Sequence, residues 1–169
     1  MQIGDAFIER AREYLSGEYL PKIRLALEGL TEADIWWRPN PASNSIGNLI
    51  LHLAGNVRQW IVSGIDGATD IRNREDEFLA DGGYSASELL AHLEDALHAA
   101  EGVLSGLSSK ELLEGRVIQG MDVSVLDALF HVVEHFSTHT GQILYLAKLR
   151  TGRDLGFWEI KDGNATPKW

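Results

Sequence analysis

Residues 124–152 read SVLDALFHVVEHFSTHTGQILYLAKLRTG. Ser124, three residues ahead of Asp127, is the signature of a helix start, and Gly152 marks a stop. Between them Leu126, Leu129, Phe130, Val133, Phe136, Ile143, Leu144 and Ala147 recur with a helical period. The same period runs through most of the chain. A first helix is predicted from about Asp5 to Gly29, followed by a capped turn at Thr31–Asp34 that Pro39 and Pro41 close. A second follows Ser43 and Asn44, with Ile46, Leu49, Ile50, Leu53, Ala54, Val57, Trp60 and Ile61 on its stripe, and ends near Gly64. Ser85 with Glu88 opens a third, which carries Leu89, Leu93, Leu97, Val103 and Leu104 inward. Ser108 with Glu111 repeats the signature on a shorter helix.

Four long amphipathic helices predict an all-α fold, a four-helix bundle formed as one domain by residues 1–169. No pair of alternating β-branched runs joined by a hairpin turn stands out. Residues 66–83, with the run Arg72-Asn73-Arg74-Glu75-Asp76-Glu77 and then Gly82-Gly83, offer little to bury and read as a mobile connection. The tail from about 153 to 169 holds Phe157, Trp158 and Trp169 without a period.

Composition narrows the chemistry. The chain of 169 residues has no cysteine, which excludes disulfides, thiolate metal sites and a cysteine nucleophile. A net charge of −10 without a basic cluster argues against nucleic acid and anionic membranes as partners. The N-terminus lacks an apolar signal core, and the apolar stretch 46–62 is interrupted by Asn48, His52, Asn56 and Arg58. A cytoplasmic location is the expectation.

Six histidines remain. His92 and His98 lie off their helix's apolar stripe and read as solvated. His131, His135 and His139 follow one another at i, i+4 spacing, and two imidazoles so spaced can chelate one ion. With roughly 100° per residue and His131 at zero, the apolar residues spread over roughly 120° to 260°. His135 and His139 fall near roughly 40° and 80°, at the stripe's edge, and are the better pair. Their spacing is equally that of two partly buried structural histidines. His131 through His135 also matches H-x-x-E-H, the inverted zinc-peptidase pattern, with Glu134 as the base. His52 flanks the stripe of the second helix, between Asn48 and Asn56, and periodicity alone does not place it in the core.

Two stretches resemble a known family. Trp36-Trp37-Arg38-Pro39-Asn40-Pro41, leading into Ser45-Ile46-Gly47-Asn48-Leu49-Ile50-Leu51-His52, is similar to the early helices of the DinB-like (YfiT-like) superfamily. His131 through Ile143 resembles its closing motif, H-x-x-x-H-x-G-Q-I, with Thr140 where relatives often have arginine. The resemblance implies a four-helix bundle, commonly a homodimer, with a divalent metal ion, zinc or nickel foremost, held by His52, His135 and His139. It leaves His131 to line the pocket or support the ligands. Asn48, Asn56 and Gln142, at one-turn spacings from the ligands, are candidates for supporting or substrate contacts. The tryptophans read first as core and interface residues, with Trp36, Trp37 or Trp60 as alternative pocket walls. Members of the superfamily include transferases and isomerases that use low-molecular-weight thiols such as mycothiol or bacillithiol. A metal- and thiol-dependent transferase acting on a small molecule is therefore the expectation. A non-catalytic dimeric metal- or ligand-binding stress protein and a hydrolase using bound hydroxide are the alternatives.

Overall fold

The computed structural model describes residues 2–169. Helix α1 (Ile3–Arg12) passes through a π-helical segment (Glu13–Tyr19) into α2 (Leu20–Leu27), and α3 (Glu32–Ile35) is a single turn. Helix α4 (Ile46–Val57) continues as a second π-helical segment (Arg58–Ser63). A short α5 (Arg74–Leu79) precedes the long α6 (Ala86–Gly106) and α7 (Val125–Thr151). The helix starts are chemically explicit. The hydroxyls of Thr31, Ser45, Ser85 and Ser124 accept from the backbone N–H of Asp34, Asn48, Glu88 and Asp127, and each partner's side chain bonds back.

The fold is all-α in its core but is not a simple four-helix bundle. Helices α3 and α5 are added to the long ones, and two hairpins interrupt the helical pattern. Strand β1 (Gly115–Ile118) pairs antiparallel with β2 (Met121–Ser124), and β3 (Trp158–Lys161) with β4 (Asn164–Pro167). Their turns are Gln119-Gly120 and Asp162-Gly163, all four residues at positive φ, the geometry that matches strand twist in a two-residue hairpin. Four-residue strands are too short for a period of two to show in the sequence, so the expectation of no hairpin fails there. The segment after Ser108 forms only a 3₁₀ turn (Glu111–Leu113).

Helix α4 sits at the centre and packs against α5, α6 and α7. Its residues are buried nearly all round, Asn48, His52 and Asn56 included. That is why period could not place His52: a helix covered on every side has no solvent face to measure against. On α7 the buried residues are Val125, Ala128, Leu129, Val132, Phe136, Thr140, Ile143, Leu146 and Ala147. The true stripe therefore lies closer to the histidines than the apolar count implied. Phe130 misled it, being 61% exposed.

Residues 66–83 are mostly exposed, as their composition suggested, with Glu77 buried among them. They carry α5, and they are tied down from two sides. Asn48 donates to the carbonyls of Glu77 (2.9 Å) and Ala80 (2.8 Å). Arg38 donates to those of Phe78 and Ala80, and the Trp36 indole to that of Tyr84. The segment is a strap drawn across α4. No helix among the described residues is long and apolar enough to cross a membrane.

Candidate metal centre

Antiparallel packing of α4 against α7 brings His52 opposite His135 and His139. One ligand nitrogen from each lies within 4.8 Å of the other two. His52 is 4% exposed, and the other two are half-buried. His52 Nε2 and His135 Nε2 stand 2.9 Å apart. Two imidazole nitrogens so close must share a proton or a cation, because two bare lone pairs repel.

Hydrogen bonds on the far side of the rings select their tautomers. His52 Nδ1 is 2.8 Å from Glu77 Oε2, and His139 Nδ1 is 2.7 Å from Gln142 Oε1. Carboxylate and amide oxygens only accept, so a hydrogen bond at either contact needs the proton on Nδ1 and leaves Nε2 its lone pair. That is the arrangement in which metal-bound histidines are usually held.

Electrostatics push the same way. Burial lowers the His135 pKa to about 3, with help from His139, His52, His131 and Arg72. Burial likewise lowers those of His139 and His131. Glu77 responds differently: burial pushes its carboxyl up, but hydrogen bonds from Arg72 and His52 outweigh that and hold it below its ordinary value. The fold therefore favours uncharged imidazoles at His135 and His139 and an ionised, paired carboxylate at Glu77.

The donor set fits a divalent ion. Three nitrogens each about 2.0–2.1 Å from a tetrahedral zinc would lie about 3.3 Å apart, within small side-chain adjustments of this cluster. Three neutral ligands also leave a coordination position open.

The neighbours sort themselves clearly. His131 is outside the cluster; its ring lies over Trp60 (4.0 Å between centroids) and its Nε2 accepts from Asn56 at 3.2 Å. Asn48 caps α4 and grips the strap, while Gln142 orients His139. Glu134 is exposed and accepts from the Thr138 hydroxyl, so the H-x-x-E-H pattern aims no base at the cluster. Thr140 is buried in the core stripe. The sequence reading missed Glu77 and Arg72 altogether. Both sit in a run of charges that looks fully solvated, and no periodic signal separates Glu77 from exposed Glu75 and Asp76.

A cleft of about 450 Å³ lies one helical turn from the cluster on both helices. Leu49, three residues before His52, lines it together with Gln142, Tyr145, Leu146 and Leu149. Tyr145 is its one ionisable lining residue.

A family model described as "Protein of unknown function (DUF1572)" matches residues 2–164. The chain belongs to the DUF1572 family. No curated protein matches it in sequence. Among solved structures, the DUF1572 chain is similar to one titled "Crystal structure of the conserved protein of locus from Enterococcus faecalis". The TM-score is 0.74 at 15% identity, over 90% of this chain and 99% of that one, a likeness of fold alone.

Proposed function

We propose that this protein is a metal-dependent transferase that activates a low-molecular-weight thiol at His52, His135 and His139 and transfers it to an uncharged small molecule. The observation that carries this reading is the convergence of three imidazoles on one point, one helical turn from a cleft. A divalent ion held only by neutral ligands keeps its full charge and would lower the pKa of a thiol or water that reaches it. The chain has no cysteine, so the sulfur has to arrive with the cosubstrate. Leu49, Leu146 and Leu149 offer the second substrate an apolar wall, and Gln142 and Tyr145 offer it hydrogen bonds. Hydrolysis is less well supported, because Glu134 faces solvent and Glu77 is already engaged by Arg72 and His52.

Elemental analysis of untagged protein tests the first half. About one metal equivalent per chain is expected for wild type and for His131→Ala, with loss in His139→Ala. Thiol-dependent conjugation of an uncharged electrophile, abolished by chelation and restored by the ion, tests the second half. Metal binding without such turnover would leave the non-catalytic binding protein as the better reading.

A further inference from the structure

The strap across α4 also decides which nitrogen of His52 faces the cluster. We propose that Glu77, braced by Arg72, is a positioning residue that fixes His52 as the Nδ1–H tautomer and so turns its Nε2 lone pair toward His135 and His139. This deepens the three-histidine reading and rests on it for the metal readout.

The geometry leaves little choice. Arg72 Nε donates to Glu77 Oε1 at 2.7 Å and Nη2 to Oε2 at 2.8 Å, so the guanidinium holds the carboxylate with both prongs. The same Oε2 stands 2.8 Å from His52 Nδ1. Arg72 Nη2 is also 3.0 Å from His52 Nδ1, which admits a rival arrangement in which Arg72 donates into an Nδ1 lone pair. That arrangement would set a lone pair against a carboxylate oxygen at 2.8 Å, a repulsive contact between buried groups. Nδ1–H donating to Glu77 satisfies all three residues.

The pair is itself held in place. Arg72 Nη1 donates to Gln59 Oε1 at 2.8 Å, and Asn48 grips the Glu77 carbonyl. Gly55, one turn after His52, makes room for it. A Cβ there would overlap Glu77 Oε1 and come within 2.8 Å of Arg72 Nε and 3.0 Å of the Glu77 carboxyl carbon. His139 has only a neutral amide in the equivalent role, and the His135 Nδ1 has no side-chain partner among the described residues. His52 is thus the ligand whose orientation is set most firmly.

The experiment compares the double variants Arg72→Met/Glu77→Leu and Arg72→Met/Glu77→Gln with wild type. Neither strands the arginine charge in the interior, and the glutamine alone can still accept from His52 Nδ1–H. Long-range ¹H–¹⁵N NMR of the metal-free proteins reads the His52 tautomer. Cobalt(II) titration, followed by visible absorption and chelator competition, reads affinity and ligand field. Wild type should show His52 protonated at Nδ1. The leucine variant should lose that preference, bind cobalt about 10–100-fold more weakly and shift the ligand-field bands. The glutamine variant should recover the tautomer and part of the affinity. His52 protonated at Nε2 in wild type overturns the proposal, as do a tautomer and cobalt spectrum alike in all three proteins. A wild type that takes up no cobalt instead overturns the metal reading, and the tautomer comparison then decides the role of Glu77 by itself.

Discussion

Gly55 contributes no side chain, yet the centre depends on its bareness. At an open helical position glycine-to-alanine gains about 1 kcal/mol. At Gly55 the added methyl meets a buried ion pair, and overpacking costs about 1–3 kcal/mol. Gly55→Ala is therefore expected to lower the urea midpoint. Gly102→Ala on α6, where nothing lies within 4 Å, is expected to raise it or leave it unchanged. Equal midpoints for the two variants would show that the strap yields easily. Glu77→Ala alone should be harsher, about 3–5 kcal/mol, because it leaves the buried Arg72 guanidinium without its carboxylate. At this scale the sequence was half legible. His135 and His139 announced themselves by spacing on an amphipathic helix. His52 entered only through family resemblance, since α4 has no exposed face, and nothing local distinguished Glu77 from its solvated neighbours.

Capping boxes were readable at three helix starts because they are contiguous chemical signals, but the same signature at Ser108 and Glu111 opens only a 3₁₀ turn and the box at Ser45 and Asn48 went unread. Thr31, Ser85 and Ser124 each open a helix as expected. What holds the strap down was not readable. Its anchors are backbone carbonyls, and their donors, Trp36, Arg38 and Asn48, lie about 30 to 50 residues away in sequence. Asn48 makes the point most sharply. Its Oδ1 accepts from the Ser45 N–H and hydroxyl, and its Nδ2 donates to Glu77 and Ala80. Asn48→Ala removes the return half of a helix cap and leaves the Glu77 carbonyl unpaired, at a cost of about 1–3 kcal/mol, while Arg38 still donates to that of Ala80. The loss should concentrate in the strap. Amide exchange across 74–80 is expected to quicken well before that of α6 or α7, and uniform acceleration would mean that the strap unfolds only with the whole.

For the molecule as a whole, the buried imidazoles set the response to acid. His135 titrates at about 3 in the fold against 6.5 ordinarily, and His131 and His139 are lowered too. Between those limits the unfolded chain takes up protons that the folded chain refuses, so stability rises with pH across that range. The contribution is complete above about pH 6.5 and drains away as pH falls toward about 3. Glu77 adds the same sign: its ionised form is favoured by folding, and that support is lost as pH drops through its lowered pKa. Surface charge works the other way, since protonating carboxylates relieves the repulsion of a chain at −10. Most of that relief comes near the carboxylate range, about pH 4, which leaves pH 5 to 7 to the histidines. Urea midpoints of metal-free protein are thus expected to fall steadily from pH 7 to pH 5, and a flat profile would contradict neutral imidazoles in the fold. Zinc at about 100-fold its dissociation constant should add about 2.7 kcal/mol at pH 7.5. Because burial keeps His135 uncharged down to about pH 3, protons do not displace the ion from it in the fold at pH 5, and urea midpoints should retain most of that increment there.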